Sequence, residues 1–196
     1  MARHHGGMTD SSEKPARPLP FGTPAAFARR IPEGDNRERL VCGDCGFVNY
    51  ENPKIVVGSV ITWDDRILLA RRAINPRRDY WTLPAGFMEM HETTAEGAAR
   101  EALEEACAKI EIDALLAVYN IPRIGQVQIM YRARLAEPQF AAGEESLDVA
   151  LFAWEDIPWD RLAFPSVLWS LRHWHEVRNL ASFIPFGNPP DDHGAR

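Results

Sequence analysis

The sequence has 196 residues, of which 45% are hydrophobic and 26% charged, a balance typical of one globular domain with appendages. A net charge of -6 without a Lys/Arg-rich run argues against a nucleic-acid partner. Apolar runs such as residues 55–61 are too short to span a bilayer, and residues 1–12 lack the apolar core of a signal peptide. Three cysteines are too few for a disulfide framework, so we expect a cytoplasmic protein with no membrane partner.

The N-terminal part of the chain shows two kinds of segment. Residues 1–30 are rich in Pro, Gly, Ala and Arg without periodicity, which predicts a flexible tail in which the His4-His5 pair is more simply explained as polar sequence than as a metal site. Residues 31–53 contain Cys42 and Cys45 as Cys-Gly-Asp-Cys-Gly. One C-x-x-C supplies two of the four ligands of a structural zinc site, so this segment is half of a zinc-ribbon signature.

From Lys54 onward the pattern alternates between strands and helices. Two apolar runs at residues 55–62 and 66–70 flank Asp64-Asp65 and predict a β-hairpin. An Arg-, Pro- and Asn-rich loop then precedes a helix predicted near Thr93–Ala106, with Thr93 or Thr94 as its N-cap.

The second half continues in the same way. Its predicted elements are strands at 114–120, 126–135 and 149–152 and a helix at 166–178. Residues 181–196 are predicted to be a second flexible tail. Together these elements predict an α/β domain over residues 54–180.

Three carboxylates cluster on the first predicted helix. Glu101, Glu104 and Glu105 stand at i, i+3 and i+4, so they share one sector of the helix roughly 100° wide. Like charges at this spacing repel, which favours a bound cation over a merely solvated acidic face. Oxygen ligands of this kind suit Mg2+ or Mn2+.

The opposite side of that helix is predicted to pack on a sheet, with the acids facing outward. Its apolar residues are Ala99, Ala102, Leu103 and Ala106. The turn-forming residues 83–86 precede the helix, and Gly86 allows the backbone to approach a ligand closely.

These acids belong to a longer pattern, G-x5-E-x7-R-E-x2-E-E, formed by Gly86, Glu92, Arg100, Glu101, Glu104 and Glu105. Six such positions would coincide by chance on the order of once in 10^5 chains of this length. The pattern resembles the signature of the Nudix hydrolases. The resemblance implies an α/β/α sandwich with a mixed sheet and metal-dependent hydrolysis of a nucleotide pyrophosphate.

Within that family, residues 31–178 resemble the FAD/ADP-ribose pyrophosphatase group. The similar segments are residues 31–35, 52–54, 81–86, 121–126 and 145–147. Pro122, about fifteen residues beyond the signature, is associated with ADP-ribose specificity. The NADH pyrophosphatase motif S-Q-P-W-P-F-P-x-S has no counterpart, and Phe164-Pro165-Ser166 is only a short echo of it.

The resemblance also bears on the cysteine pair. Related groups carry a further C-x-x-C about twenty residues upstream, where this chain has Pro20 and Thr23. A degenerate knuckle without a complete zinc site is therefore favoured over a Zn2+ site completed by a histidine or a second subunit.

The resemblance assigns roles to individual residues. Water would attack one phosphorus of an ADP-X nucleotide, releasing AMP and X-phosphate. The expected metal-binding residues are Gly86, Glu101, Glu104 and Glu105, with Glu104 alternatively acting as a base. Arg100 and Glu92 are expected to orient the neighbouring acids, and Glu145 to be the general base, with a solvated loop acid as an even alternative. The expected substrate contacts are Trp81, Pro122 and Arg123.

Other possibilities stay open at this point. FAD and ADP-ribose are equal candidates, NADH or a nucleoside triphosphate is an alternative substrate, and a nucleotide-sensing domain without turnover is an alternative class. A homodimer is the family expectation. Cys107 stands where the family pattern has glycine, at a helix end that favours a left-handed residue.

Overall fold

A small antiparallel sheet and a larger mixed sheet organise residues 26–190, which the computed structural model describes. The chain divides into two units between Asn52 and Pro53. Within residues 26–190 neither helix has the length and apolarity needed to cross a membrane.

The first unit is a three-stranded antiparallel sheet. Its strands are β1 (Phe27–Arg30), β2 (Arg39–Cys42) and β3 (Val48–Asn49), in the order β1-β2-β3. The Cys42–Cys45 turn connects β2 to β3 and is followed by Gly46 at φ +76°, where glycine is favoured because it lacks a Cβ. β1 lies inside the segment predicted to be a flexible tail, and its four-residue pairing with β2 gives part of that segment a fixed strand.

The second unit contains a seven-stranded sheet with the order β10-β5-β4-β9-β8, while β6 pairs with β5 and β7 with β4. Its elements are β4 (Lys54–Trp63), β5 (Arg66–Arg72), β6 (Trp81–Thr82), β7 (Ala85–Phe87), α1 (Thr94–Ala106), β8 (Ile110–Ile121), β9 (Gln126–Leu135), β10 (Ser146–Phe152) and α2 (Pro165–Val177). A 3-10 turn at Pro122–Ile124 connects β8 to β9. The predicted α/β architecture with a mixed sheet is confirmed.

The central hairpin has the predicted turn. Thr62 pairs with Ile67 and Trp63 with Arg66, so Asp64 and Asp65 are the two-residue connection. β4 also pairs in parallel with β9 along nine residues, which makes the sheet mixed.

The two helices pack on opposite faces of this sheet. Val60 belongs to a core cluster with Trp169 and Leu171 of α2, whereas its neighbour Ile61 clusters with Ala102 and Ala106 of α1. Successive side chains of a strand point to opposite faces. The result is an α/β/α sandwich whose α1 face carries the signature.

Residues beyond α2 return to the sheet. Phe186 exchanges backbone hydrogen bonds with Leu116 and Val118 of β8, each 2.9 Å long, and Asn188 bonds the backbone of Asn120. Both residues lie in the segment 181–196, which is predicted to be a second flexible tail. No local pattern marks such contacts, because they depend on residues about seventy positions apart.

Candidate active site

Helix α1 starts at a capping box. The Thr93 side chain accepts a hydrogen bond from the Glu96 amide at 3.2 Å, and the Glu96 carboxylate accepts one from the Thr93 amide at 2.7 Å. This arrangement satisfies two amides at the helix N-terminus. It fixes the first turn of the helix beside the loop that follows Gly86.

The buried face of α1 differs from the predicted one. Glu101 and Glu105 are each only 8% exposed, whereas Leu103, predicted to pack on the sheet, is 52% exposed. Ala98, Ala102 and Ala106 are the residues that pack. Small alanines bring the helix close to the sheet, and two of the three acids are thereby drawn into the interface.

Gly86 and Glu101 are in close contact. A methyl group on Gly86 would lie 2.5 Å from the carboxyl carbon of Glu101, so any larger residue here would displace this carboxylate. The neighbouring amide of Ala85 donates to Glu105 at 3.0 Å. The strand β7 and two of the helix acids therefore form one closely packed wall.

Arg100 connects the acids on its own side of the helix. Its Nη1 donates to Glu101 at 2.7 Å and to Glu104 at 2.9 Å. Its Nε and Nη2 donate to Glu92, and Nη2 also donates to the carbonyl of Phe87. Charge-assisted hydrogen bonds of this kind are short and strong, so Arg100 holds the loop and the helix together.

Burial and ion pairing shift the pKa values of these acids in opposite directions. Burial raises the pKa of Glu105 from its ordinary value of 4.5 to about 7, and it also raises the pKa of Glu101. Hydrogen bonds from Arg100 lower the pKa of Glu92 to about 2. Glu92 is thus a stable counter-ion of Arg100, whereas Glu105 is a carboxylate that lacks a sufficient counter-charge.

A cavity of about 930 Å³ opens beside this wall. That volume lies near the upper end of the range for small-molecule sites, roughly 300–1,000 Å³. Six carboxylates and three guanidinium groups line it: Glu89, Glu101, Glu104, Glu105, Glu144, Glu145, Arg72, Arg100 and Arg123. An anionic ligand can enter such a site only with added positive charge.

The cavity brings together most of the predicted site residues. Those that line it are Gly86, Arg100, Glu101, Glu104, Glu105, Arg123 and Glu145. Trp81 and Pro122, predicted as substrate contacts, are not among its lining residues. Trp81 instead packs edge-on against Phe152 with ring centroids 4.9 Å apart, and its neighbour Thr82 lines the cavity.

Sequence reasoning missed the part of the cavity lining formed by the end of β5 and the start of α2. Arg72 lies there with its guanidinium 5.2 Å from the ring centroid of Phe164, and its Nε donates to the Pro76 carbonyl at 2.9 Å. Pro165 and Ser166 at the start of α2 also line the cavity. The only sequence signal was the Phe164-Pro165-Ser166 echo of another motif, which did not point to Arg72.

The donor set of the wall suits a hard divalent cation. Glu101, Glu104 and Glu105 offer oxygen ligands, and burial raises the pKa values of Glu101 and Glu105, so a cation beside them would favour their charged forms. Within residues 26–190 no three His, Cys, Asp or Glu side chains already converge as a ligand cluster. Arg100 occupies the space between Glu101 and Glu104, so metal binding requires these side chains to rearrange.

The cysteine pair presents a different donor set. Hydrogen bonds from the backbone and thiol of Cys45 and from the backbone of Asp44 lower the pKa of Cys42. Cys42 is buried and Cys45 is exposed. Two thiols supply half of a tetrahedral zinc site, and Pro20, Thr23, His4 and His5 lie outside the described residues.

The mixed sheet between two helices, with the acid-bearing helix behind Gly86, is the Nudix fold. Family models agree with this assignment: residues 52–175 match the NUDIX domain, and residues 22–51 match the Nudix N-terminal zinc-ribbon family. The chain belongs to the Nudix hydrolases.

Similar proteins agree with this assignment. It is 31% identical over 119 residues to an ADP-ribose pyrophosphatase of Methanocaldococcus jannaschii, an alignment covering 59% of this chain and 69% of the relative. The crystal structure of a NUDIX hydrolase from Nitrosomonas europaea superimposes with a TM-score of 0.79 at 44% identity, covering 84% of this chain and 94% of the other. An ADP-ribose pyrophosphatase from Streptococcus suis, at 20% identity and a TM-score of 0.59 over 70% of this chain and all of the other, shares the fold.

Proposed function

We propose that this chain hydrolyses the pyrophosphate bond of an ADP-X nucleotide, ADP-ribose or FAD, to give AMP and X-phosphate with Mg2+ or Mn2+. The observation that carries the proposal is that one cavity combines two unlike sets of lining residues. Carboxylates of α1 line one part of the cavity, while Arg72 and apolar side chains such as Phe164 line another part. A nucleotide diphosphate has matching parts, an anionic centre and flat or apolar ends.

Positive charge is the main requirement of this reaction. A pyrophosphate repels both the six cavity carboxylates and an approaching hydroxide. Divalent cations bound at the α1 wall would neutralise the phosphates, lower the pKa of the attacking water and stabilise the leaving oxygen. Glu101 and Glu105 are the proposed direct ligands, with Glu104 as a third ligand or a base and the Gly86 backbone beside them.

The remaining residues of the signature have positioning roles in this proposal. Arg100 orients Glu101 and Glu104, and Glu92 fixes Arg100 in turn. Such partners tune metal affinity without themselves touching the ion.

Glu145 is the proposed general base. It lines the same cavity on a loop outside α1, close enough for its charge to raise the pKa values of Glu101 and Glu105. Loss of a general base costs about 10^2- to 10^4-fold in rate. If the Glu145→Gln variant has a kcat within a few-fold of the wild-type value, Glu145 is not the general base.

Substrate binding is proposed for Arg72, Arg123 and Phe164. Arg72 uses its Nε for the Pro76 carbonyl, and among the described residues its terminal nitrogens have no hydrogen-bond acceptor. A guanidinium held at one end and stacked on a ring is well placed to donate to a phosphate.

The test is hydrolysis of FAD, ADP-ribose, NADH and dATP side by side with Mg2+, with chromatography of the products. Wild type is compared with Glu105→Gln and with Glu137→Gln, a matched change at an exposed ion pair with Lys109 outside the cavity. AMP plus FMN or ribose 5-phosphate, lost only in Glu105→Gln, is the expected result. Reaction in 18O-labelled water then identifies the attacked phosphorus by the product that carries the label.

NADH is the competing substrate, because Phe164, Pro165 and Ser166 line the cavity and echo the NADH pyrophosphatase motif. Release of AMP and reduced nicotinamide mononucleotide at the highest kcat/KM would favour it. Pyrophosphate release from dATP would indicate a triphosphatase. Tight ADP-ribose binding without turnover of any compound would make the domain a sensor.

For the cysteine pair we propose a degenerate knuckle that keeps its shape without a complete zinc site. Backbone hydrogen bonds close this turn, from the Gly46 amide to the Cys42 carbonyl at 3.0 Å and from the Cys42 amide to the Phe47 carbonyl at 2.8 Å. About one zinc per purified chain, lost in a Cys42→Ser/Cys45→Ser variant, would contradict this proposal.

A further inference from the structure

The loop between β9 and β10 is fastened to the C-terminal end of the acid-bearing helix. The amide of Ala141 donates to the Ala106 carbonyl at 2.9 Å, and the amide of Gly143 donates to the Glu105 carbonyl at 3.1 Å. The last carbonyls of a helix have no partner inside the helix, so this loop caps α1. The same loop carries Glu144 and Glu145 into the cavity.

Gly143 is the point of closest approach. A Cβ built on it would overlap the carbonyl oxygen of Glu104 and would lie 2.9 Å from the Glu104 carbonyl carbon. Both obstructing atoms belong to the helix backbone, which cannot rotate away as a side chain could. Any larger residue at 143 therefore pushes the loop away from α1.

A second attachment holds the other end of the loop. The Ala73 amide donates to the Glu145 carbonyl at 2.8 Å, directly after Arg72 at the end of β5. The Ser146 amide donates back to Gly143 at 3.1 Å. Glu145 is thus fixed between the helix that bears the proposed metal ligands and the strand that bears Arg72.

We infer that Gly143 is a positioning residue for catalysis, which sets the placement of Glu145 relative to the carboxylates of α1. This inference rests on the proposed function, in which Glu145 is the base. Displacement of a reacting group by about 1 Å can cost about 10^2-fold in rate, so the missing side chain at 143 has a direct consequence for turnover.

The closing experiment is a double-variant cycle. Gly143→Ala should lower kcat about 10^2-fold with little change in KM. In a Glu145→Gln background the same substitution should lower kcat less than about threefold, because the base it would misplace is already gone. A full loss in both backgrounds, or no loss in either, overturns the inference.

The matched control is Gly187→Ala. A Cβ at Gly187 meets no atom within 4 Å, and Gly187 does not line the cavity, so this variant should keep the wild-type kcat. This variant shows how much an added methyl group changes kcat at a position where the methyl group has space.

Amide hydrogen exchange of the substrate-free wild type tests the attachment without relying on activity or on a variant that must fold. The amides of Ala141 and Gly143 should exchange slowly, as do other bonded amides at helix ends. Exchange at the rate of an unstructured peptide overturns the inference even if the enzyme is active. Slow exchange in a protein that hydrolyses none of the four compounds would instead reject the proposed function and leave Gly143 as the attachment point of a ligand-binding loop.

Discussion

The carboxylate of Glu105 accepts a hydrogen bond from the backbone amide of Ala85, 3.0 Å away, across the junction between α1 and β7. This bond and the charge of Arg72 oppose a larger effect, since burial raises the pKa of Glu105 to about 7. Because this pKa is close to neutral pH, a bound cation would cause Glu105 to lose its proton.

Stability of the metal-free protein should fall as the pH rises from about 5 to 8. The folded-state pKa of Glu105 lies above its ordinary value of 4.5, so the folded state binds the proton more tightly and loses that advantage as pH rises through about 7. The effect is on the order of 3 kcal/mol in the free energy of unfolding. Urea unfolding in EDTA at several pH values measures it.

Glu105→Gln is the comparison for that measurement. Burial lowers the pKa values of His173 and His175, which contribute the opposite slope, so the difference between wild type and variant is the informative quantity. If the free energy of unfolding depends on pH in the same way in both proteins, Glu105 does not have a raised pKa. Added Mg2+ should stabilise wild type at pH 8 more than the variant.

Arg100→Lys should lower kcat/KM about 10- to 100-fold and raise the Mg2+ concentration that gives half-maximal rate. A single ammonium cannot hold Glu92, Glu101 and Glu104 together as the guanidinium does. Steady-state kinetics at varied Mg2+ check this. Arg134→Lys is the matched control, because Arg134 makes a similar two-nitrogen contact with Glu111 at an exposed position outside the cavity.

Arg72→Ala should raise KM for the nucleotide about 10- to 100-fold, the value of a lost charge-assisted hydrogen bond. The melting temperature should change little, because the side chain lies on the cavity wall. Arg66→Ala, at the other end of β5 and away from the cavity, should leave KM unchanged. If both variants have the same KM, Arg72 does not contact the substrate.

Cys107→Gly should stabilise the protein by about 1 kcal/mol. Cys107 ends α1 in the left-handed region, at φ 47° and ψ 30°, where a Cβ is unfavourable. Thermal or urea unfolding measures the gain. Cys107→Ala keeps the Cβ and removes only the thiol, so a similar gain in that variant would show that the backbone conformation is not the cause.

Local signals predicted much of this structure. The N-cap at Thr93, the end of α1 at Ala106 and the Asp64-Asp65 turn follow from the chemistry of neighbouring residues, and the structure has each of them. The signature spacing likewise brought Glu101, Glu104 and Glu105 to one cavity.

What the sequence could not supply depends on contacts between distant segments. The burial of Glu101 and the exposure of Leu103 are set by which side of α1 meets β4, and the amphipathic pattern favoured the other side. Arg72 and Phe164 are ninety-two positions apart and meet only in the folded chain. The sequence also does not show that Thr82 lines the cavity while its neighbour Trp81, predicted as a substrate contact, does not.

The return of Phe186 and Asn188 to β8 affects how two copies of this protein can associate. β8 is the last strand of the larger sheet, and its unpaired backbone groups would otherwise serve as a template for a neighbouring chain. The bonds to Leu116, Val118 and Asn120 occupy that template. A dimer that continued the sheet through this part of β8 would first have to displace the chain's own C-terminal segment.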